Sequence, residues 1–143
     1  MATERNATVA WTGDLMSGSG VIGQVGSGAF GPLDVSWTAR AEESNGKTSP
    51  EELIAAAWAA CFAMALSHGL AQGGTPPETL ATSATVTFQP GEGIVKGALT
   101  VTGTVPGLDA DGFQAAAETA KDNCPVSKAL SGVPEVTLDA SLQ

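Results

Sequence analysis

The side chains able to do nucleophilic or redox chemistry are few in this sequence. It contains two cysteines, Cys61 and Cys124, one histidine, His68, and two arginines, Arg5 and Arg40. A catalytic triad or dyad that needs a histidine would have to use His68. The cysteines lack the CxxC spacing typical of a zinc site. The inventory therefore favours chemistry by the cysteines, or no chemistry at all.

The two cysteines lie in different kinds of segment. Cys61 lies among alanine, phenylalanine and methionine, where a free cysteine is often an ordinary core residue. Cys124 directly precedes Pro125 at a predicted helix junction, and a helix N-terminus lowers the pKa of a thiol and favours its exposure. His68 follows Cys61 by seven residues, about two helical turns, so we interpret it as a partly buried packing residue. From composition alone, a paired redox role and two inert thiols both stay open.

An arginine and a glutamate could complete a thiol site. Arg40 lies on the polar face of a predicted half-buried strand, Asp34–Ala41, that leads towards the segment carrying Cys61. A guanidinium near a buried thiol would hold it as the thiolate, and Glu51 could fix that guanidinium by a bidentate ion pair. The simpler alternatives are a solvated strand arginine for Arg40 and a first-turn helix acid for Glu51.

One long helix is the main element that must position these side chains. A Ser-Pro-Glu-Glu sequence beginning at Ser49 is a helix-start signal, and the helix is predicted to run from Pro50 to about Gln72. Because Leu53–Leu66 is apolar on every side, we expect the helix to be buried all round. In so small a domain, that burial suggests help from a second subunit.

The remaining segments mix strands and helices. Threonine- and valine-rich runs predict a hairpin of Ala81–Phe88 and Ile94–Val105. Asp109 is a predicted N-cap for a helix through about Asn123. Further short elements are expected at Thr8–Trp11, Gly20–Val25, Val126–Leu130 and Val136–Ala140. Since these are not successive βαβ units, the sequence predicts an α+β fold in a single domain spanning residues 1–143.

The charge balance excludes some classes of partner. Fifteen acidic residues against six basic ones give a net charge of −9, so we expect no nucleic-acid partner and no anionic membrane surface. The longest apolar run has 14 residues, fewer than the roughly 18 of a membrane span. The N-terminal residues have no signal-peptide pattern. We therefore expect a cytoplasmic protein, in a compartment that keeps thiols reduced.

Two segments around the cysteines carry a family resemblance. Residues 48–67, TSPEELIAAAWAACFAMALS, are similar to [TN]-x-PEEL-[IL]-x-A-A-x-A-A-C-F-x-M-A-L-S, and residues 120–127, AKDNCPVS, are similar to A-K-x-x-C-P-V-S. Trp11–Leu15 and Val105–Asp109 match as well. With these motifs, the chain resembles the osmotically inducible protein C (OsmC) and organic hydroperoxide resistance (Ohr) family from end to end.

The resemblance implies an α+β fold with antiparallel sheets and a long buried central helix, in which two chains intertwine as a homodimer. It implies a thiol peroxidase that reduces organic hydroperoxides, with Cys61 as the peroxidatic cysteine and Cys124 as the resolving one. Arg40 matches the activating arginine of the osmotically inducible branch, and Glu51 matches the glutamate that pairs with it. That branch often has histidine where this chain has Trp58. Dihydrolipoyl groups or small thiols would reduce the disulfide, and no metal or organic cofactor is needed.

A hypothesis from another functional class is a non-enzymatic stress protein. It would be a dimer that binds a hydrophobic small molecule and keeps both cysteines in its core. A zinc-binding dimer is a third hypothesis, which the cysteine spacing disfavours. For the peroxidase, apolar neighbours of Cys61 would suit an alkyl peroxide better than hydrogen peroxide, because an alkyl tail gains apolar burial.

Overall fold

Three short antiparallel strands and one short helix make up the first 50 residues. The computed structural model describes all of residues 1–143, which divide into two units, Met1–Pro50 and Glu51–Gln143. The elements of the first unit are β1 (Val9–Thr12), β2 (Ser19–Ile22), β3 (Leu33–Val35) and α1 (Trp37–Ala41). β2 is the middle strand of the sheet.

The predicted strand Asp34–Ala41 is wrong in its second half. The strand ends at Val35, and Ser36 is the N-cap of α1, its Oγ accepting a hydrogen bond of 3.2 Å from the Ala39 amide. A serine side chain that satisfies a free amide in this way favours a helical turn over further strand pairing. Arg40 therefore lies in the last turn of a short helix, and not on the polar face of a strand.

The second unit contains the long helix and a second sheet. Its elements are α2 (Pro50–Gln72), β4 (Thr79–Gln89), β5 (Gly93–Thr104), α3 (Ala110–Asn123), α4 (Pro125–Ala129) and β6 (Glu135–Leu142). The predictions for the long helix, the hairpin and the two later helices are confirmed. Asp109 caps α3 as predicted, its carboxylate accepting a hydrogen bond of 2.8 Å from the Gly112 amide.

The α+β fold class is confirmed, with one difference in strand direction. β4 and β5 form the predicted antiparallel hairpin, but β6 pairs with β5 in parallel, from Lys96 opposite Glu135 to Gly103 opposite Leu142. α3 and α4 return the chain to the beginning of β5, and a connection of that length permits a parallel pair. The expectation of purely antiparallel sheets is therefore wrong for this pair.

α2 packs into the core of its unit along one stripe. Four apolar residues at four-residue spacing are buried, and they pack with residues of β5 and α3: Trp58, Phe62, Leu66, Leu70, Leu99, Val101, Phe113 and Ala117. Burial on all sides is not seen within one chain, since Met64 is 72% exposed. By length and apolar composition alone α2 also qualifies as a membrane-crossing helix, a test that core helices pass too. Its buried stripe makes it the central helix of this unit.

Candidate active site

α2 and the junction between α3 and α4 bring the two cysteines into contact. Cys61 lies in the middle of α2, and Cys124 is both the C-cap of α3 and the N-cap of α4. Their sulfur atoms are 2.9 Å apart, and both thiols are free. Two cysteines 63 positions apart in the chain therefore form a dithiol that can close to a disulfide with a small movement, since bonded sulfurs lie about 2.05 Å apart.

The backbone at Cys124 follows from the proline after it. A residue that precedes proline is disfavoured in the helical region, and Cys124 has ψ of 124°. α3 ends there, and Pro125 starts α4 at a position that tolerates its missing amide. The Cys124 amide still donates to the carbonyl of Ala120 at 2.9 Å. The end of one helix and the start of the next therefore hold this cysteine.

The order of exposure of the two thiols is the reverse of the one expected. Cys124 is completely buried and belongs to the hydrophobic core, so the exposure predicted from its position at a helix start is wrong. Cys61, which by its neighbours resembled a core residue, keeps part of its surface in contact with solvent. A reagent from solution therefore meets Cys61 first.

The two thiols differ in their tendency to ionise. Burial and the hydrogen bond with Cys124 raise the pKa of the Cys61 thiol. Burial also opposes ionisation of Cys124, but hydrogen bonding to Cys61, to the Ser127 amide and hydroxyl and to the Val126 amide outweighs it and lowers the pKa of Cys124. Either thiol can donate the shared hydrogen bond, and the donors around Cys124 favour Cys61 as the donor. Within this pair the negative charge is therefore favoured at Cys124.

The other residues singled out from the sequence have defined positions in their own elements. Glu51 lies in the first turn of α2 and is only 6% exposed, an uncommon burial for a carboxylate. Arg40 lies in α1 of the first unit.

His68 is exposed, and not partly buried as predicted, because it lies away from the buried stripe of α2. It lines a groove of about 520 Å³ with residues of α3. No group of three or more His, Cys, Asp or Glu residues is placed to hold a metal ion.

Sequence reasoning did not single out Ser127. The indole Nε1 of Trp58 donates a hydrogen bond of 2.8 Å to the Ser127 hydroxyl, across 69 positions of the chain. Trp58 is 1% exposed, and its ring lies against Gly97 of β5, where the Cβ of any other residue would overlap the indole. The sequence signal that could have identified Ser127 was its spacing from Cys124. Ser127 is three positions after this cysteine, in the first turn of the helix that Pro125 begins.

Comparisons with known proteins point to one family. The family model described as OsmC-like protein matches residues 43–139. The chain is 38% identical over 146 aligned positions to the peroxiredoxin OsmC of Escherichia coli strain K12, covering all of this chain and 99% of that relative. The same identity and coverage hold for the peroxiredoxin OsmC of Shigella flexneri.

Solved structures agree with this relationship. The organic hydroperoxide resistance protein OsmC of Legionella pneumophila is 26% identical, with 96% of each chain covered and a TM-score of 0.66. The organic hydroperoxide resistance protein OhrB of Bacillus subtilis is also 26% identical, with 96% of this chain and 98% of that chain covered and a TM-score of 0.62. Because the family model spans most of the chain and the Escherichia coli relative matches it from end to end, this chain belongs to the OsmC-like protein family.

Proposed function

We propose that this chain is a cysteine-based peroxidase that reduces organic hydroperoxides to alcohols. The observation that carries the proposal is the dithiol, in which a partly exposed Cys61 lies 2.9 Å from a fully buried Cys124. The names of the relatives support it, since they are a peroxiredoxin and two organic hydroperoxide resistance proteins. The proposed setting is the cytoplasm, where a dithiol is kept reduced.

In the first proposed step Cys61 is the nucleophile, because it is the member of the pair that a peroxide can reach. Its thiolate attacks the terminal oxygen of the hydroperoxide, a sulfur–oxygen bond forms and the oxygen–oxygen bond breaks. The alkoxide leaves with the electron pair of that bond and takes up a proton to become the alcohol. Cys61 is oxidised to the sulfenic acid.

In the second proposed step Cys124 resolves the sulfenic acid. The Cys124 thiolate attacks the sulfur of Cys61, the disulfide bond forms, and the sulfur–oxygen bond breaks; the released hydroxide takes up a proton to give water. The lowered pKa of Cys124 favours the ionised form that this attack needs. A dithiol of the lipoyl type, or small thiols, then reduces the disulfide by thiol–disulfide exchange and is itself oxidised.

The first step needs a positive charge near Cys61. Burial raises the pKa of this thiol, and a nearby cation is the interaction that would favour its ionised form. We assign this role to Arg40, whose counterpart in the family is the activating arginine. Glu51 is the proposed partner that fixes the guanidinium, and a carboxylate as buried as Glu51 requires a cation or hydrogen-bond donors.

The proposed substrate has an apolar tail. Cys61 packs against the apolar core cluster of the second unit, which includes Trp58 and Phe62, and Ala65 and Val126 pack against the same cluster. An alkyl or aryl group placed against such side chains gains roughly 25 cal/mol for each Å² of apolar surface buried. Hydrogen peroxide would gain nothing comparable, so the site favours organic hydroperoxides.

We further propose that the protein is a homodimer. Several large apolar side chains are exposed in the first unit, namely Val9, Trp11, Leu15, Met16, Val21 and Phe30, and Met64 is exposed on α2. Exposed apolar surface of this kind marks an interaction site, and a second copy would supply the burial of α2 that one chain lacks.

Light scattering at micromolar concentration should give twice the chain mass, and Met64→Lys should shift the mass towards that of one chain. A single-chain mass for the unaltered protein would contradict this proposal.

Counting thiols tests the peroxidase directly. The reduced native protein should lose both thiols together on addition of one equivalent of cumene hydroperoxide, because one peroxide is reduced for each disulfide formed. The measurement is a thiol titration in denaturant before and after the peroxide, with mass spectrometry to identify a Cys61–Cys124 bond. Retention of both thiols would instead support the non-enzymatic binding protein, and loss of one thiol would contradict the proposed resolving step.

A further inference from the structure

We propose that the hydrogen bond between Trp58 and Ser127 is a clamp that holds the two cysteines at the distance from which their disulfide closes. Both residues are then positioning residues, and the inference rests on the proposed function, in which Cys61 and Cys124 form that disulfide. The observation that carries it is a pair of contacts between the same two segments. The Trp58 indole Nε1 donates to the Ser127 hydroxyl at 2.8 Å, and the two sulfur atoms are 2.9 Å apart.

The two contacts are matched in their spacing along the chain. Trp58 precedes Cys61 by three residues on α2, and Ser127 follows Cys124 by three residues in the first turn of α4. Three residues are about one turn of a helix, so the two contacts lie about one turn apart. A single contact between two segments lets them pivot about it, whereas a second contact one turn away removes that freedom.

The backbone between Cys124 and Ser127 transmits the restraint. Pro125 has a fixed φ, and the Lys128 amide donates to the Cys124 carbonyl at 3.0 Å, which closes the first turn of α4 around these residues. Ser127 can therefore move relative to Cys124 only if this turn opens. Because Trp58 holds the Ser127 hydroxyl, it also restrains the backbone of Cys124 against α2.

Packing alone gives α4 little support. None of its residues is buried, and Cys124, its N-cap, makes no side-chain capping hydrogen bond. Trp58, by contrast, is 1% exposed, and Gly97 of β5 lies against the indole ring where the Cβ of any other residue would overlap it. The clamp therefore connects a helix with few buried groups to a side chain that is fixed in the core.

The clamp has its main effect while the dithiol is reduced. After closure a covalent bond holds the junction of α3 and α4 against α2, but before closure only noncovalent contacts do. A looser junction would have more conformational freedom to lose when the bond forms, and reacting groups that are held in contact react faster. We therefore expect loss of the clamp to disfavour the disulfide relative to the dithiol and to slow its formation.

Equilibrium with glutathione measures this effect without any peroxide. Two electrons pass from the Cys61–Cys124 dithiol to glutathione disulfide, which gives the protein disulfide and two glutathione thiols, and the equilibrium ratio gives the effective concentration of one cysteine at the other. We expect Ser127→Ala and Trp58→Phe each to lower this effective concentration by about two- to tenfold, the range that one net hydrogen bond spans. Ser127→Thr keeps the hydroxyl and should retain most of the effective concentration.

Two further variants separate the clamp from a general loss of stability. Because both substitutions remove the same bond, the double variant Trp58→Phe/Ser127→Ala should lose no more than the larger of the two single losses. Thr82→Val is the matched control, since it removes another hydrogen bond to α2, from the Thr82 hydroxyl to the Ala59 carbonyl at 3.1 Å. That bond comes from β4 and not from α4, so the effective concentration should stay unchanged even where the free energy of unfolding falls.

The rate of closure is followed after one equivalent of cumene hydroperoxide. In Ser127→Ala the sulfenic acid on Cys61 should persist about two- to tenfold longer, so a sulfenic-acid reagent traps more of it. With excess hydroperoxide more of it should reach the sulfinic acid, each consuming one further hydroperoxide and releasing one further alcohol. Thr82→Val should match the unaltered protein in both measurements.

An unchanged effective concentration in both Ser127→Ala and Trp58→Phe would overturn the clamp, and so would losses that add up in the double variant. Either result leaves the proposed function standing, because the glutathione equilibrium involves no peroxide. Trp58→Phe keeps most of the ring volume, so it carries the test if Ser127→Ala does not fold. The opposite combination, the expected losses in a protein that leaves organic hydroperoxides intact, would refute the proposed function and retain the clamp.

Discussion

Replacing Cys61 by serine is expected to abolish the reduction of organic hydroperoxides, with a loss on the order of 10³-fold or more in kcat/KM. A serine hydroxyl does not ionise near neutral pH, and it cannot hold the oxygen that the sulfenic acid carries. The measurement is alcohol formation from cumene or tert-butyl hydroperoxide with a dithiol reductant. Serine has nearly the size of cysteine, so the packing of α2 should be preserved and a loss of activity can be assigned to the sulfur.

Cys124→Ser is the matched control, because it removes the other sulfur of the same pair. This variant should still form about one equivalent of alcohol, and the sulfenic acid should then accumulate on Cys61, where a sulfenic-acid reagent traps it. Steady turnover should fall because no disulfide can form. If Cys61→Ser kept this single turnover and Cys124→Ser lost it, the two roles would be exchanged. The experiment is needed because the pKa of Cys124 is lowered and the pKa of Cys61 is raised, so ionisation alone would favour Cys124 as the nucleophile.

Local signals in the sequence predicted the helices well. The Ser-Pro-Glu-Glu start of α2 and the Asp109 cap of α3 depend only on residues a few positions away in the chain. Such signals can therefore be recognised from the sequence alone. At Ser36 two local signals conflict, because the alternation of polar and apolar residues predicts a strand while the serine can cap a helix. In the structure the helix cap forms, because the Ala39 amide donates a hydrogen bond to the Ser36 hydroxyl.

The features that the sequence did not predict depend on contacts far apart in the chain. The connection through α3 and α4 brings the chain back to the beginning of β5, and β6 therefore pairs with β5 in parallel. No residue in β6 indicates the direction of this strand. The burial of Cys124 depends on α2 packing over it, whereas the helix start alone suggested exposure. The bond from Trp58 to Ser127 spans 69 positions and has no sequence signature.

The candidate site was therefore predicted in part. The identity of the two cysteines came from the motifs around them, and their contact at 2.9 Å agrees with the pairing that the family resemblance implies. Which thiol faces solvent, and which one more readily holds a negative charge, came only from the three-dimensional surroundings. The roles of Arg40 and Glu51 remain predictions.

Replacing Arg40 by alanine is expected to lower kcat/KM for organic hydroperoxides by about 10- to 1,000-fold at neutral pH, because a nearby cation lowers the pKa of an acid by roughly one to three units. Burial already raises the pKa of Cys61. Loss of the cation would raise it further, and below this pKa the thiolate fraction falls about tenfold for each unit. The deficit should therefore shrink as the pH rises, and the rising limb of the pH profile should move to higher pH.

The pH profile, more than the size of the loss, distinguishes this role from a structural one. Arg40→Lys keeps the charge and should recover part of the activity, although lysine cannot form the bidentate pair proposed with Glu51. Arg5→Ala is the matched control, since it removes the other arginine, whose guanidinium donates to the Glu4 carbonyl at 2.8 Å. In a Cys124→Ser background, the alkylation rate of Cys61 against pH should shift for Arg40→Ala and stay unchanged for Arg5→Ala. An unshifted alkylation profile in Arg40→Ala would remove Arg40 from the site. Another cation, such as one of the lysines, would then have to stabilise the Cys61 thiolate.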